Sequence, residues 1–122
     1  MSNTKTLTAK DLLQFSGSEN WYRHSLNRKV LYTDGAQYLA EQGGAYWLLD
    51  SIAIAQTHVK AVKAEEFQVW TLKVNPDSTA ILTCGDGNNN IVYKQSIPFT
   101  DFPLPEAKLY FTDNVIMLTS EY

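Results

Sequence analysis

The chain has 122 residues, 44% of them hydrophobic and 19% charged, which fits one ordinary globular domain and excludes both a two-domain layout and a disordered chain. A chain of this length buries roughly two thirds of its unfolded surface, so it needs no metal or disulfide staple. Ten Lys and Arg against thirteen Asp and Glu leave a net charge of -3; this argues against a dominant nucleic-acid face, although a local basic patch is compatible with it, because phosphate binding depends on clustered cations.

In chain order, residues 1–7 read as a loose tail. Thr8 then has N-cap chemistry, and Asp11 three residues on can accept from free amides and favour the helix dipole. Leu12, Leu13 and Phe15 support a short helix that Ser16-Gly17-Ser18 stops. Asn20 to Leu26 and Lys29 to Thr33 are rich in strand-favouring residues and read as a hairpin around Asn27-Arg28. Thr33-Asp34-Gly35 ends the hairpin and caps a second helix over Ala36 to Gln42, broken by Gly43-Gly44. A third helix is expected over Ala45 to His58. At about 100° per residue, Leu48, Leu49, Ile52, Ala53 and Ala55 fall on one arc, the core face. Asp50, Ser51, Thr57 and His58 fall opposite, with Trp47 and Ile54 as apolar outliers among them. Val59 to Glu66, with Lys60, Lys63, Glu65 and Glu66, reads as a solvated connection or a helix end.

The period then changes from helical to alternating. Phe67 to Val74 is a strand with Trp70, Leu72 and Val74 on one face. Thr79 to Cys84 follows the turn Asn75-Pro76-Asp77-Ser78, with Ala80, Leu82 and Cys84 on one face. Ile91 to Ile97 returns, placing Ile91, Tyr93 and Ile97 together. The Pro-rich segment Pro98 to Glu106 is a loop, and Lys108 to Phe111 and Val115 to Thr119 form a last hairpin around Asp113-Asn114. Short turns predict an antiparallel sheet. Helices early and strands late predict a single α+β domain, with short N-terminal helices packed on one face of a mostly antiparallel sheet.

Cys84 is the only cysteine, so no intramolecular disulfide forms. Residues 1–6 lack the apolar core of a secretory signal, and the most apolar stretch, Ala45 to Ala55, is too short to span a bilayer and is interrupted by Asp50. These features predict a cytoplasmic protein with no membrane partner.

Candidate chemistry is sparse. Asp86-Gly87-Asn88 has the alternating oxygens of a calcium loop, but twelve-position spacing from Asp86 ends at Ile97 instead of a bidentate Glu, so a hairpin turn is the better reading. His24 would serve as a general base if Glu19, Asp34 or Asp50 lay beside it; a strand places Tyr22 and His24 on one face. His58, at a helix end, is favoured there by the dipole. Cys84, on an apolar strand face with no local cations, reads as a buried small hydrophobe. Asp50 is a carboxylate in the most apolar helix; its angle points it outward, and if buried its natural partner is Arg23 or Arg28. No phosphate loop, paired-cysteine metal box or nucleophile elbow is present, and neither a metal nor a cofactor is expected.

Phe15-Ser16-Gly17-Ser18-Glu19-Asn20-Trp21-Tyr22-Arg23-His24, Tyr32-Thr33-Asp34-Gly35, Gly44-Ala45-Tyr46-Trp47-Leu48-Leu49-Asp50, Phe67-Gln68-Val69-Trp70, Phe99-Thr100-Asp101-Phe102-Pro103 and the ending Ser120-Glu121-Tyr122 carry a resemblance over nearly the whole chain. On these segments it resembles a family of small uncharacterised bacterial proteins, found in cyanobacteria and on mobile elements. The resemblance implies a cytoplasmic bacterial or phage-related setting and brings no activity, cofactor or site residue.

The leading expectation is therefore a non-enzymatic protein-binding module, anchored by Trp21, Tyr22, Tyr46 and Trp47, whose partner is another protein or a second copy forming a homodimer. The alternative is a small enzyme or ligand-binding domain that gathers His24, Asp34, Asp50 and Asp101 in a concave pocket. A third reading, an inhibitor presenting an acidic face to a nucleic-acid-binding protein, draws only on the modest negative charge.

Overall fold

A computed structural model of the chain describes residues 7–15 and 20–122. The tail read at residues 1–7 falls outside this range except for Leu7, which is buried in the core and so is not tail. The helix stop at residues 16–18 also lies outside the described residues.

Helix α1 (Ala9–Leu12) starts with the expected cap. The Thr8 hydroxyl accepts the Asp11 N–H at 3.2 Å and the Asp11 carboxylate accepts the Thr8 N–H at 3.1 Å, so each satisfies a free donor of the first turn. Strands β1 (Trp21–Arg23) and β2 (Leu31–Thr33) pair antiparallel as the anticipated hairpin, but they are shorter than read, and residues 24–30 form the loop. Thr33 caps α2 (Asp34–Gly43), accepting the Ala36 N–H, and Gly44 ends it in the left-handed region at φ 61°. Helix α3 (Tyr46–His58) buries Leu48, Leu49, Ile52, Ala53 and Ala55, the arc its periodicity predicts. The segment read as a solvated connection or a helix end contains a helical turn, α4 (Lys60–Lys63), because Val62 has core to fill.

Strands β3 (Phe67–Val74), β4 (Ala80–Gly85), β5 (Ile91–Ile97), β6 (Glu106–Thr112) and β7 (Val115–Leu118) follow, with a final 3-10 turn at Thr119–Glu121. Asp113 and Asn114 both take positive φ, 53° and 64°, the backbone of a tight two-residue hairpin turn. Among the described residues, four α-helices and one seven-stranded sheet make an α+β fold, with sheet order β1-β2-β7-β6-β3-β4-β5. Every pairing is antiparallel except β2 with β7. That one parallel pair joins strands separated by most of the chain, so no short turn announces it.

The helices cover one face. Trp70, Leu72, Leu82, Leu109 and Ile116 pack there in one core with Leu39, Leu48, Leu49 and Ile52. Ile91 does not join that face as expected. A bulge at Cys84/Gly85 pairs Tyr93 with Cys84 and Ile91 with Gly85, which turns Ile91 outward and leaves it 59% exposed.

The 3-10 turn returns to the start of α2. The Glu121 carboxylate accepts from the Thr33 hydroxyl at 2.6 Å, the Gly35 N–H at 3.1 Å and the Leu118 N–H at 2.9 Å. This close approach requires glycine: a Cβ at Gly35 would collide with Glu121 Oε1 and stand 2.7 Å from Leu118 Cδ1. Gly35→Ala should therefore destabilise the protein by about 1–3 kcal/mol, as overpacking does, read as a lower urea midpoint at unchanged m-value. An unchanged midpoint would contradict the tightness of this contact.

Candidate functional site

The hairpin and the two longer helices bring most of the candidate residues to one end of the fold. Trp21 and Tyr22 stand on edge strand β1. Register places Tyr22 opposite Tyr32 of β2, and the two rings stack at 5.6 Å with 28° between planes. The Tyr22 hydroxyl donates to Asp34, the first residue of α2, at 2.9 Å, and the Asn20 N–H reaches the other Asp34 oxygen at 3.3 Å. Holding its proton on that carboxylate raises the Tyr22 phenol above its ordinary pKa. Tyr46, in the first turn of α3, donates to Glu41 at 2.7 Å, and this bond, with some desolvation, pushes its phenol up to about 12.

His24 lies just beyond β1, on the same side as Tyr22, with its ring edge 6.4 Å from Tyr32. It is buried, and its Nε2 is 2.8 Å from Asp50 of α3. The partner of Asp50 is thus a histidine and not Arg23 or Arg28; Arg23 instead donates to the Arg28 carbonyl. The Asp50 side chain remains 43% exposed, consistent with its outward angle. His24 Nδ1 accepts the Leu26 N–H at 3.1 Å and the Asn27 N–H at 3.2 Å. An acceptor nitrogen carries no proton, so this network assigns the ring proton to Nε2, donated to Asp50. Both nitrogens are occupied, and neither has a lone pair open to a substrate. Asn27 completes the attachment, donating to the Ala53 carbonyl at 3.0 Å and to Thr57 at 3.3 Å. The His24 loop is therefore fastened along α3.

The remaining candidates do not join. Asp34 bonds Tyr22 and Asn20, not His24. Asp101 is exposed in the loop after β5, between Thr100, whose N–H donates to Ser78, and Phe102, which packs into the core beside Gly43. Trp47 is half-buried against the core, which resolves its outlying angle, while Ile54 stays 41% exposed. The larger groove, about 950 Å³, lies between the residue 26–30 loop, the start of β3 and the β6–β7 turn; a second, about 500 Å³, lies along α2 and includes Asp34 and Glu41. Neither is lined by His24, Asp50 or Asp101.

Residues 6–122 match the family model described as a family of unknown function, DUF6876. The chain belongs to that family. No curated protein and no solved structure matches it. Membership in DUF6876 therefore brings no residue roles, and the geometry has to be read on its own.

Within this DUF6876 member, Tyr32 and Glu41 join the candidate cluster, the first stacked on Tyr22 and the second accepting from Tyr46. Tyr32 was discoverable from the hairpin register opposite Tyr22; Glu41 lacked any local signal. Among the described residues no group of three His, Cys, Asp or Glu could hold a metal ion, and no helix is long and apolar enough to cross a membrane. Asp86 accepts from the Asn88 N–H at 2.7 Å and from the Asn90 side chain at 2.9 Å, so its oxygens organise the turn. Cys84 is buried, and burial, helped by the negative charge of Glu65, pushes its thiol up to about 12.

Two outcomes follow. Because His24 needs only an acceptor at Nε2, Asp50→Asn should cost less than about 1 kcal/mol while Asp50→Leu, which strands the buried N–H, costs about 1–3; imidazole 15N shifts should report the Nε2–H tautomer in the wild type, and an Nδ1–H tautomer would refute the assignment. For Cys84, an unfolded thiol ionises near 9.0 while the folded one holds its proton to about 12. Its contribution to stability is complete below pH 9 and is lost as the pH rises toward 12. Urea midpoints across that window should fall more steeply for the wild type than for Cys84→Ala; parallel curves would contradict it.

Proposed function

We propose that the protein is a non-enzymatic, cytoplasmic protein-binding module, with the edge strand β1 and the start of α3 as its contact surface. The observation that carries this reading is Trp21, 60% exposed on an edge strand; Tyr46, at the start of α3, is also exposed, at 41%. Tryptophan and tyrosine offer large contact area at low entropic cost and dominate interface energetics. The Tyr22 and Tyr46 hydroxyls are already held by Asp34 and Glu41, which fixes the rings before any partner arrives. The partner we favour is a second copy of this chain: β1 has β2 on one side only, and a homodimer would close that open edge. A bacterial, mobile-element setting accords with the resemblance described above. The enzymatic alternative draws less support, because His24 spends both ring nitrogens, one on Asp50 and one on the loop backbone.

Light scattering and sedimentation over a concentration series test this. The wild type should self-associate, and Trp21→Ala should weaken the association by roughly thirtyfold, the effect of a hot-spot residue worth about 2 kcal/mol, with an unchanged circular dichroism spectrum. A wild type that stays monomeric at high concentration, and that crosslinks to no host protein in a Trp21-dependent way, would remove the proposal.

A further inference from the structure

The sheet has a second face, and no described element packs over it. Every basic residue after position 66 is there. Register aligns Thr71 of β3 with Lys108 of β6 on one side and with Thr83 of β4 on the other, and Thr83 with Lys94 of β5. One transverse row thus reads Lys108, Thr71, Thr83, Lys94 and spans three strand spacings, about 14 Å. Lys73, two residues along β3 from Thr71, projects from the same face. All three lysines are exposed, and none forms an ion pair among the described residues. Acids are placed differently. Asp77, Asp86, Asp101 and Asp113 occupy turns and loops, Glu121 is engaged at the start of α2, and only Glu106, beside Lys73 in the register, shares the face.

Aromatic rings adjoin this basic row on the same face. Phe67, Tyr110 and Tyr122 form a closed triangle with centroids 5.0, 5.3 and 5.3 Å apart. Tyr122 is 73% exposed and presents its ring to solvent. Tyr110 and Lys108 are two residues apart on β6, about 7 Å, so one nucleotide can lay its base against the ring cluster and its phosphate on the ammonium.

We propose that this open sheet face binds single-stranded nucleic acid, with Lys73, Lys94 and Lys108 taking the phosphates, Thr71 and Thr83 offering hydroxyls between them, and Tyr122 stacking on a base. Single strands are held by the combination of a cationic track and exposed rings, since every base has a π face. An acidic peptide would satisfy the lysines but would leave the ring cluster without a role. The net charge of -3 sets a limit on strength and not on location: the acids that produce it lie around the face, so binding depends on low salt. With three phosphates neutralised, the logarithm of the affinity should fall with the logarithm of salt at a slope of about -2, a loss of roughly twentyfold between 50 and 200 mM.

The test is fluorescence anisotropy of short labelled oligo(dT) and oligo(U) with the full chain. The wild type should bind saturably at low salt with that slope. The triple variant Lys73→Gln/Lys94→Gln/Lys108→Gln should bind at least tenfold more weakly with a slope near zero, and Tyr122→Ala severalfold more weakly at an unchanged slope. Lys10→Gln/Lys60→Gln, which removes as many as two charges from the helical side, should bind as the wild type does. Absence of saturable binding, or binding that survives the triple variant, overturns the proposal. So does equal competition by polyglutamate with no effect of Tyr122→Ala, an outcome that would assign the face to acidic proteins.

Discussion

The insertion of β7 between β2 and β6 is the constraint on which the rest of the molecule depends. Without it, β1, β2 and α2 have no attachment to the sheet except through the core. With it, Leu31 lies beside Val115 and Tyr32 beside Ile116, and the Leu31 N–H bonds the Asn114 carbonyl at 2.8 Å. The chain closes a loop of most of its length to make this pair, but closure entropy rises only slowly with length, so a few well-made contacts can hold it. Glu121 supplies some of them. Its carboxylate sits against the first turn of α2, where the helix dipole favours negative charge, and the absence of a side chain at Gly35 lets it come that close. The position of β1 follows directly. With β7 on the inner side of β2, β1 is left at the sheet margin, which is why Trp21 faces solvent.

In the polar interior, buried side chains use their bonding capacity to tie separate segments together. Gln68 is on the helix-covered face of β3, among Trp70 and Leu72. Its amide exchanges hydrogen bonds with Gln56 of α3 at 2.7 and 2.9 Å, donates to the carbonyls of Val62 and Glu65 at 2.9 and 3.0 Å, and accepts from Trp70 Nε1 at 2.9 Å. Those two carbonyls lie at and just beyond the end of α4, and the Val62 carbonyl also accepts the Glu65 N–H at 3.0 Å. One glutamine thereby ties α3, α4 and β3 together. His24 does the corresponding work for the residue 24–30 loop, accepting two of its amides and fastening them to α3 through Asp50. Among the described residues no buried side-chain nitrogen or oxygen lacks a partner, so these groups stabilise the fold without the penalty of an unmet donor.

What could be read from the chain, and what could not, divides by distance along it. The bounds of β3 and β5 and the buried arc of α3 follow from alternation or helical spacing within a few residues. The Thr8–Asp11 cap is local too. The β2–β7 pair and the Glu121 clamp link residues far apart, and no turn or spacing points to them; for His24, residue chemistry names Asp50 among three acids, and only the fold selects it. Ile91 was misplaced because a bulge adds one residue that alternation cannot anticipate. Val62 and Gln68 are not legible for a different reason: a valine among lysines and a glutamine on an apolar strand look solvent-directed until their partners are known. The candidate site was half legible. Residue chemistry singled out Tyr22, His24, Asp34 and Asp50, but only the fold sorts them into two separate pairs and sets Asp101 apart.

That sorting bears on function through bonding capacity left over. Two residues that looked chemical are taken up by the fold: His24 at both nitrogens and Cys84 by burial. Even the phenols of Tyr22 and Tyr46 are committed to Asp34 and Glu41. What remains near β1 is ring surface, so a partner there is recognised by area removed from water more than by new hydrogen bonds. A tryptophan side chain buries roughly 200 Å²; with 60% of Trp21 exposed, covering it removes about 120 Å² from water and contributes about 3 kcal/mol. On the open sheet face the residue of capacity is of the other kind, unpaired ammonium groups beside rings. The two surfaces therefore ask for different chemistry, apolar contact at the edge strand and anionic contact on the β6–β3–β4–β5 face.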